Sequence, residues 1–569
     1  MYVRDAYGRV VSESNAVASA VCSLAASGTA TNEAWTVGGD ALEIVRSLDS
    51  QDRPDGFAVP SSGYSLRHAY ADDGHVESIS NALAVVEYAY TPDRLDAGYS
   101  LTLSNGVVFT RSLLRDGFRR SLVTGISSVA NGVGAESLTY AYDALSRPTT
   151  RNDDTFVYNA RGEVAAATVA GSVEAHEYDG IGNSTRSVFN STTNAYTANC
   201  LNQYDAIVCA STPPYETVTE YDADGNMTRC GDWTYTYDAA NRLKTVSSNG
   251  VLLVTNDYDA KGRRVRKVTP ESTMTFFYDG WNLIEERVAN ANGTASTIHY
   301  YWGKDISGTL QDAGGVGGLL YLTVDGSIHV PCYDHNGNVT RYLDANGCTV
   351  AQYVYDAFGR TISQTGSLAD IFRHRFSTKY LDSGTSLYYY GYRFYSPVLR
   401  RWLTRDPIEE DSGLNLYGFC GNNPVSAYDC FGKYWEFSTP KWNKELEELD
   451  FTVKYIMSAS ERRCCHAVTV DRYVRKLFGV GNRFGPYSLD HAADGGMTDF
   501  KRPYVGYAES DSPDGQNFYF YRLPWTQSFK WEARCTAGPG KGKILSSVER
   551  QFKTSGHFLW NPKREGWFK

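Results

Sequence analysis

The residues of this chain whose types and spacing could support metal binding or catalysis are few. Cys464-Cys465-His466 offers two thiols and an imidazole, which are donors that Zn²⁺ favours, but adjacent side chains seldom face one ion. Gly538-Pro539-Gly540-Lys541-Gly542-Lys543 lacks the GxxxxGK[ST] spacing of a phosphate-binding loop. The chain contains no CxxC pair, no HExxH and no GxSxG, so the sequence predicts neither a metal ion nor a cofactor.

One six-residue phrase recurs through the middle of the chain and predicts the elements that position any site. It has the form Tyr-Asp-x-x-Gly-Asn/Arg, and its full copies begin at Tyr178, Tyr221, Tyr258, Tyr333 and Tyr355. Less regular copies begin at Tyr142, Tyr158, Tyr237 and Tyr278. Recurrence at a period of roughly 20 residues indicates a repeat architecture. No single unit of such an array can bury a core alone.

The residue types within the phrase predict a hairpin. Alternating aromatic and β-branched residues lead into the tyrosine, as in Tyr235-Thr236-Tyr237, and this alternation is typical of a half-buried strand. The aspartate can open a turn by accepting a bond from the backbone two residues on, and the glycine supplies a positive φ. Two less regular copies carry Asn241 and Asn282 at the glycine position, while Ser146 breaks the pattern. We therefore expect a long antiparallel sheet.

These repeats resemble those of the bacterial Rhs or YD-repeat family, whose extracellular animal relatives are the teneurins. The resemblance covers roughly residues 1–432 and is strongest in three segments, which are similar to the Rhs-associated core that closes the repeat array: Phe376-Ser377-Thr378-Lys379-Tyr380-Leu381, Leu387-Tyr388-Tyr389-Tyr390-Gly391-Tyr392-Arg393-Phe394-Tyr395-Ser396-Pro397 and Gly413-Leu414-Asn415-Leu416-Tyr417. It implies a mainly β fold, in which a spiral antiparallel hairpin sheet forms a hollow YD-repeat β-cage around the C-terminal polypeptide.

The repeats and the family resemblance together divide the chain into three parts. We expect a YD-repeat shell over 1–365, an Rhs-repeat-associated core over 366–432 and a variable C-terminal domain over 433–569. Within the last part, helical spacing around Val474 and aromatic alternation over 515–535 predict a small α+β segment. Because Val3-Arg4-Asp5-Ala6-Tyr7-Gly8-Arg9 already looks like part of a repeat, we expect the chain to begin inside the array, with an incomplete N-terminus.

Charge is distributed unevenly between the shell and the tail. Residues 433–569 contain 22 Lys+Arg against 16 Asp+Glu, a net of +6, whereas the full chain carries −10, which leaves −16 for residues 1–432. An acidic wall around a basic tail is electrostatically complementary. The tail charge is compatible with a cargo that acts on nucleic acid. Because no basic run with interleaved aromatic residues is present, an ordinary solvated surface is the favoured interpretation.

The resemblance places autoproteolysis at the end of the core, where acidic residues of two Asp-Pro-type motifs meet. It makes Asp406 and Asp429 the candidate catalytic pair and Lys433-Tyr434 the cleaved bond. Neighbouring carboxylates can divide an acid and a base role between them. The chain departs from the motif at Cys430 in place of Pro, at Lys433 in place of Leu and at Glu409 in place of Gly. The alternative is that both aspartates cap turns in an uncleaved core.

The resemblance implies a secreted or cell-surface protein that delivers its own tail as a toxin in interbacterial competition. Its partners would be that tail, a cognate immunity protein and a secretion apparatus, with nucleic acid added if the tail is a nuclease. The polar tail residues to test are His466, Asp490, His491 and His557. A structural or adhesive surface protein with an inert plug, and a remnant of a truncated gene, remain as alternatives.

Two further features limit the classes of protein. No stretch approaches 18 apolar residues, so the sequence predicts no membrane-spanning segment. The 11 cysteines are irregularly spaced and odd in number, which favours thiols over a disulfide framework in a chain of this size.

Overall fold

A computed structural model describes residues 1–433, apart from 52, 73, 120 and 212, and gives the backbone of several strands beyond residue 433. The chain divides into two units. The first contains Met1–Asp116, Arg120–Tyr142 and Pro148–Ser438, and the second contains Gly117–Arg119, Asp143–Arg147 and Thr439–Lys569. In the described part of the chain, no helix combines the length and the apolar character needed to cross a membrane.

A 34-stranded antiparallel sheet dominates the first unit, and each of its strands pairs with the next along the chain. The mainly β fold predicted from the repeats is confirmed. The strands are β1 Tyr2–Arg4, β2 Val10–Ser14, β3 Ala18–Leu24, β4 Ala30–Val37, β5 Asp40–Leu48, β6 Pro54–Val59, β7 Tyr64–Tyr70, β8 Val76–Ser80, β9 Ala84–Tyr90, β10 Asp96–Leu103, β11 Val108–Arg115, β12 Val123–Ala130, β13 Val133–Tyr142, β14 Pro148–Arg151, β15 Asp154–Tyr158, β16 Val164–Val169, β17 Ser172–Tyr178, β18 Ser184–Phe189, β19 Thr192–Ala198, β20 Tyr204–Cys209, β21 Tyr215–Tyr221, β22 Met227–Cys230, β23 Trp233–Tyr237, β24 Leu243–Ser248, β25 Val251–Tyr258, β26 Arg264–Val268, β27 Ser272–Asp279, β28 Asn282–Asn290, β29 Ala295–Trp302, β30 Leu319–Val324, β31 Ser327–Tyr333, β32 Val339–Asp344, β33 Thr349–Tyr355 and β34 Thr361–Thr365.

The repeated phrase forms the turn of each hairpin. In the copy that begins at Tyr178, Oδ1 of Asp179 accepts hydrogen bonds from the backbone N–H of Ile181 at 3.0 Å and of Asn183 at 2.9 Å. Gly182 has a φ of 87°. The glycines of the other full copies have φ values between 75° and 90°. The predicted turn chemistry is therefore confirmed, because these are conformations that residues with a Cβ rarely adopt.

In most copies, the tyrosine of the phrase ties its repeat to the preceding strands. The Tyr178 hydroxyl donates to the carbonyl oxygen of Val164 at 2.9 Å, and the Tyr355 hydroxyl donates to that of Val339 at 2.7 Å. Both acceptors are the first strand residues after the preceding YD turn. The same bond recurs at Tyr237, Tyr258 and Tyr278. The Tyr333 hydroxyl instead donates to Leu319, the first strand residue after the loop between β29 and β30. Each such bond contributes about 1 kcal/mol and fixes the spacing of successive turns.

The sixth residue of the phrase adds a second link between neighbouring turns. Asn183 donates to its own Asp179 and to Asn202 of the following turn, both at 2.9 Å. Arg242 likewise bonds Asp238 at 2.8 Å and reaches the next turn's Asp259 carbonyl at 3.1 Å. Asn and Arg are therefore alternatives at this position because both carry more than one N–H donor.

Among the less regular copies, those with Ser146 and Asn282 differ from their sequence prediction. Asn241 takes a φ of 59° as expected, and Ser146, which breaks the residue pattern, keeps the same conformation at 63°. The prediction of a left-handed residue at Asn282 is wrong. There Asp279 pairs directly with Asn282, so the hairpin has a two-residue turn and the positive φ, 59°, falls on Gly280.

The sheet winds so that strands distant in sequence touch. A sheet much wider than about 10 strands has to curl or split, and hydrogen bonds between residues 236 to 258 positions apart mark the contact between windings near the start. They are Tyr2 to Ala260, Asn15 to Tyr258 and Tyr64 to Tyr300. Further along, the backbone N–H of Ala357 donates to Glu174, 183 positions away, at 2.7 Å. The sequence separation between touching windings thus falls along the spiral.

The core that follows the array is a compact, buried assembly. Four strands form a separate antiparallel sheet: β35 Tyr380–Asp382, β36 Leu387–Tyr389, β37 Phe394–Ser396 and β38 Arg401–Trp402. Three 3₁₀-helices, Phe376–Thr378, Glu409–Ser412 and Cys420–Asn422, and strand β39 Ala427–Asp429 complete it.

A buried ion pair joins this core to the array. Asp382 accepts from Arg264 at 2.6 Å and from Lys267 at 2.8 Å, and both donors lie on β26. Removing one partner of such a buried pair costs about 3–5 kcal/mol. The core is therefore held against the wall of the shell.

Beyond the core, the chain is described by backbone alone. Its strands are β40 Trp435–Phe437, β41 Trp442–Asn443, β42 Glu448–Leu449, β43 Thr452–Lys454, β44 Ala467–Leu477, β45 Ser488–Asp490, β46 Met497–Asp499, β47 Glu509–Ser510, β48 Phe518–Ala537, β49 Ile544–Asn561 and β50 Gly566–Phe568. The strand predicted over 515–535 corresponds to β48. The helical spacing predicted around Val474 falls within β44 and is wrong there, because the β-branched residues Val468, Val470 and Val474 favour an extended chain. The rest of the α+β prediction lies outside the described residues.

Candidate active site

Asp406 and Asp429 both lie at the end of the core and are buried. Asp406 follows β38, and Asp429 is the last residue of β39. Arg393, just before β37, joins them: its Nη2 atom lies 2.7 Å from Oδ2 of Asp406 and 3.7 Å from Oδ2 of Asp429. The fold thus brings two carboxylates that are distant in sequence to one guanidinium.

Arg393 was not identified from the sequence. Its guanidinium is 2% exposed and lies 4.1 Å above the ring of Trp402. Its position within the aromatic run Tyr388 to Tyr395 could have identified it. An arginine in such a run is expected to be buried, and a buried cation needs a carboxylate partner.

The two carboxyl groups have different surroundings. Burial raises the pKa of Asp429 to about 6, although Arg393 and the backbone N–H of Gly432 favour its ionised form. No hydrogen-bond donor among the described residues reaches its Oδ2 atom. Asp406 instead shares the short 2.7 Å ion pair with Arg393. Burial and the neighbouring charge of Asp406 therefore favour the protonated form of Asp429 below about pH 6.

Each aspartate also caps a turn with its other oxygen. Oδ1 of Asp406 accepts from the backbone N–H of Ile408 at 3.0 Å. Oδ1 of Asp429 accepts from Phe431 at 3.0 Å and from Gly432 at 2.5 Å. Both aspartates thus have the turn-capping role that was the alternative to catalysis. Capping uses Oδ1, while Oδ2 faces Arg393.

The turn capped by Asp429 carries the chain toward the candidate bond. The Nε atom of Arg393 donates to the carbonyl oxygen of Gly432 at 2.5 Å, so the cation that pairs with Asp406 also holds the backbone one residue before Lys433. Gly432 has a φ of 75°, and a Cβ there would lie 3.1 Å from the backbone nitrogen of Arg393. The positive φ and this tight contact both favour a glycine at the position. Tyr434, on the other side of the candidate bond, lies outside the described residues.

A buried lysine, Lys379, also holds this segment of backbone. Nζ of Lys379 donates to the carbonyl oxygens of Cys430 at 2.6 Å and Gly314 at 2.7 Å. A Cβ at Gly314 would lie 1.9 Å from the Cys430 oxygen, so the loop between β29 and β30 packs directly on this backbone. Burial lowers the pKa of Lys379 to about 8. Together these contacts fix the path of the chain into the turn.

The three departures from the family motif are each accommodated. Cys430 is buried beside Ala313, Val316 and Tyr428. Glu409 has a φ of 56°, which explains why glycine suits that position. Lys433 places its Nζ atom 3.3 Å from the ring centroid of Tyr392.

Within residues 1–433, gaps aside, no group of three or more His, Cys, Asp or Glu side chains is arranged to hold a metal ion. Cys464-Cys465-His466 and His491 lie outside the described residues. Asp490 and His557 lie on β45 and β49, whose side chains are not described.

Residues 145–425 match the family model described as the teneurin YD-shell. The tRNA3(Ser)-specific nuclease WapA of Bacillus spizizenii is 30% identical over 276 residues, which is 46% of this chain and 11% of that protein. The double-stranded DNA deaminase toxin A of Burkholderia cenocepacia is 25% identical over 329 residues, or 53% of this chain and 21% of that protein. The chain thus spans about a tenth to a fifth of the length of these relatives.

A solved structure has the same fold. The Photorhabdus luminescens Tc holotoxin pore matches with a TM-score of 0.58 at 17% identity, over 76% of this chain and 24% of that one. At this level of identity the likeness concerns the fold.

Proposed function

This chain is an Rhs-type YD-shell protein, and from that premise we propose that its shell encloses the chain's own C-terminal polypeptide and delivers it as a toxin after self-cleavage at Lys433–Tyr434. The observation that carries the proposal is the buried Arg393, Asp406 and Asp429 cluster, which holds the Gly432 carbonyl at the junction between shell and tail. A relative named as a toxin, the double-stranded DNA deaminase toxin A of Burkholderia cenocepacia, supports it. A secreted or surface location, a secretion apparatus and a cognate immunity protein belong to the same proposal.

Self-cleavage would be a hydrolysis divided between the two carboxyl groups. Ionised Asp406 takes a proton from a water molecule, whose oxygen attacks the carbonyl carbon of Lys433. Protonated Asp429 donates its proton to the nitrogen of Tyr434 as the peptide bond breaks. The products are a carboxyl group at Lys433 and an amine at Tyr434, and water is the co-reactant. Arg393 and Lys379 keep the backbone in place throughout this step.

The experiment that tests this step is a denaturing gel of the purified protein. Two pieces are expected, with the smaller beginning at Tyr434 by N-terminal sequencing. A single full-length band would leave Asp406 and Asp429 with their turn-capping roles alone.

Enclosure is supported by the opposite net charges of residues 1–432 and 433–569, −16 and +6. A cargo that has to leave is expected to make polar contacts rather than a permanent apolar core. We expect proteases to spare bonds within 440–560 in the intact protein at low salt and to cut some of them above roughly 0.5 M salt, where charge attraction is screened. Rapid digestion of the tail at low salt, with the shell intact, would contradict enclosure.

The effector activity that the relatives suggest for the tail is one directed at nucleic acid. The named activities of the relatives, a tRNA nuclease and a double-stranded DNA deaminase, both act on nucleic acid. The basic net charge of the tail suits such a substrate. Inducing residues 433–569 in bacteria should arrest growth, and His557→Ala or Asp490→Ala should relieve the arrest if those residues act on substrate. Normal growth would favour the alternative, a structural or adhesive surface protein with an inert plug.

A further inference from the structure

Lys433, the residue on the amino side of the proposed cleavage, lies against an aromatic wall. Its Nζ atom is 3.3 Å from the ring centroid of Tyr392, and the side chain is half-buried. Burial lowers the pKa of Lys433, while the charge of Asp406 acts in the opposite direction. A cation this close to the face of a ring is attracted by the ring's quadrupole.

The wall is built jointly by the core and the array. The Tyr392 ring contacts the Trp281 ring at 4.7 Å between centroids, and Trp281 also contacts Phe431 at 5.6 Å. The backbone N–H of Tyr392 donates to the carbonyl oxygen of Phe431 at 2.9 Å. Trp281 sits in the two-residue turn between β27 and β28, where its own backbone N–H donates to Gln311 at 3.1 Å. The ring that meets Lys433 is therefore fixed from both sides.

This wall provides what a lysine requires at a position where the family motif has leucine. The long apolar stem of lysine can lie along rings while its ammonium group meets a ring face. A carboxylate at the same position would face the negative face of the ring and the charge of Asp406. The surroundings thus select a cationic or apolar side chain and disfavour an acidic one.

We propose that Tyr392, supported by Trp281, forms a subsite that holds Lys433 and determines which residue is accepted on the amino side of the cleaved bond. The inference rests on the proposed self-cleavage and adds its specificity determinant. Tyr392 is a positioning residue in this scheme, since it acts through Lys433 and touches neither carboxylate of the pair.

The first test measures self-cleavage as the protein refolds from denaturant. Tyr392→Ala should slow cleavage about tenfold, which corresponds to the loss of a partly buried cation–π contact. Tyr392→Phe keeps the ring face and should stay within about twofold. Lys433→Glu should slow cleavage about thirtyfold or more, whereas Lys433→Arg should remain close to the unmutated rate. Tyr7→Ala, which removes an exposed ring beside Arg9 at 5.2 Å, is the matched control.

A pairwise comparison separates a subsite from a general loss of structure. Leucine at position 433 makes no cation–π contact with Tyr392. Tyr392→Ala should therefore slow cleavage less in the Lys433→Leu protein than in the unmutated one. Equal slowing in both backgrounds would overturn the subsite. Unchanged cleavage in Tyr392→Ala would also overturn it, while leaving self-cleavage itself in place.

Trypsin gives a readout that does not depend on self-cleavage. Trypsin needs the lysine side chain to be accessible, so the subsite should protect the Lys433–Tyr434 bond in the full chain carrying Asp429→Asn. Adding Tyr392→Ala should raise trypsin cutting at that bond about tenfold, detected as a new N-terminus at Tyr434. Equal cutting with and without Tyr392 would overturn the subsite even if the unmutated protein never cleaved itself.

Discussion

The Nη2 atom of Arg393 lies 2.7 Å from Oδ2 of Asp406, and both side chains are buried. The same guanidinium uses Nε to hold the carbonyl oxygen of Gly432 at 2.5 Å. One side chain therefore compensates the charge of a carboxylate and fixes the backbone beside the candidate bond. Four predictions follow from this arrangement and from the turns of the array.

Asp429→Asn should leave the chain as one full-length band, because an amide keeps the shape of the side chain but cannot donate the carboxylic proton. Asp406→Asn should have the same effect, since it removes the base. The measurement is a denaturing gel with N-terminal sequencing of any fragment. Asp238→Asn, in a YD turn, is the matched control and should cleave normally, and a cleaved Asp429→Asn protein would contradict the assigned role.

Cleavage should slow as the pH rises above about 6. Burial raises the pKa of Asp429 to about 6, and the step requires its protonated form. The protonated fraction falls about tenfold for each pH unit above that value. Because the pKa is raised in the folded state, stability contributed by neutral Asp429 is also lost as the pH rises through about 6. Refolding at a series of pH values measures the rate, and a rate that rises from pH 6 to 8 would exclude Asp429 as the acid.

Arg393→Met should abolish cleavage and lower the stability of the shell by about 3–5 kcal/mol, because it leaves Asp406 buried without its cation. Arg393→Lys keeps the charge but cannot reach Asp406 and the Gly432 carbonyl together, so it should restore part of the stability and little of the cleavage. Thermal unfolding and the cleavage gel are measured on the same samples. Equal recovery of both properties in Arg393→Lys would show that charge alone is needed.

Gly225 and Gly262 occupy the same position of the repeat, with φ values of 83° and 90°, but their neighbours differ. A Cβ at Gly225 would lie 2.5 Å from Cδ of Arg405 and 2.7 Å from the Tyr417 hydroxyl, whereas at Gly262 the nearest atom is Cδ of Arg242 at 4.0 Å. Gly262→Asn should therefore cost about 1 kcal/mol, and Gly225→Asn about 2–3 kcal/mol. Denaturant titration compares them, and equal costs would show that the core does not press on the turn at Gly225.

The turns of the array could be predicted because their cause is local. The aspartate caps the backbone two and four residues on, and the glycine or Asn241 takes the positive φ that the turn needs. Asn282 was assigned wrongly because the hairpin there is shorter, which moves the strained conformation to Gly280. Residue types predicted the turn chemistry but not the length of each turn.

By itself, the sequence determined the antiparallel hairpins and their order, since each depends on residues within a few positions. The two aspartates of the candidate site remain a prediction that the family resemblance supplied. Tertiary structure decided that Arg393 stands between Asp406 and Asp429, that Lys379 holds the Cys430 carbonyl and that Lys433 meets Tyr392. These partners are separated by 13 to 51 positions and become neighbours only when the core folds. Burial and charge pairing, which set the protonation of Asp429, exist in the folded shell and have no counterpart in the order of residues.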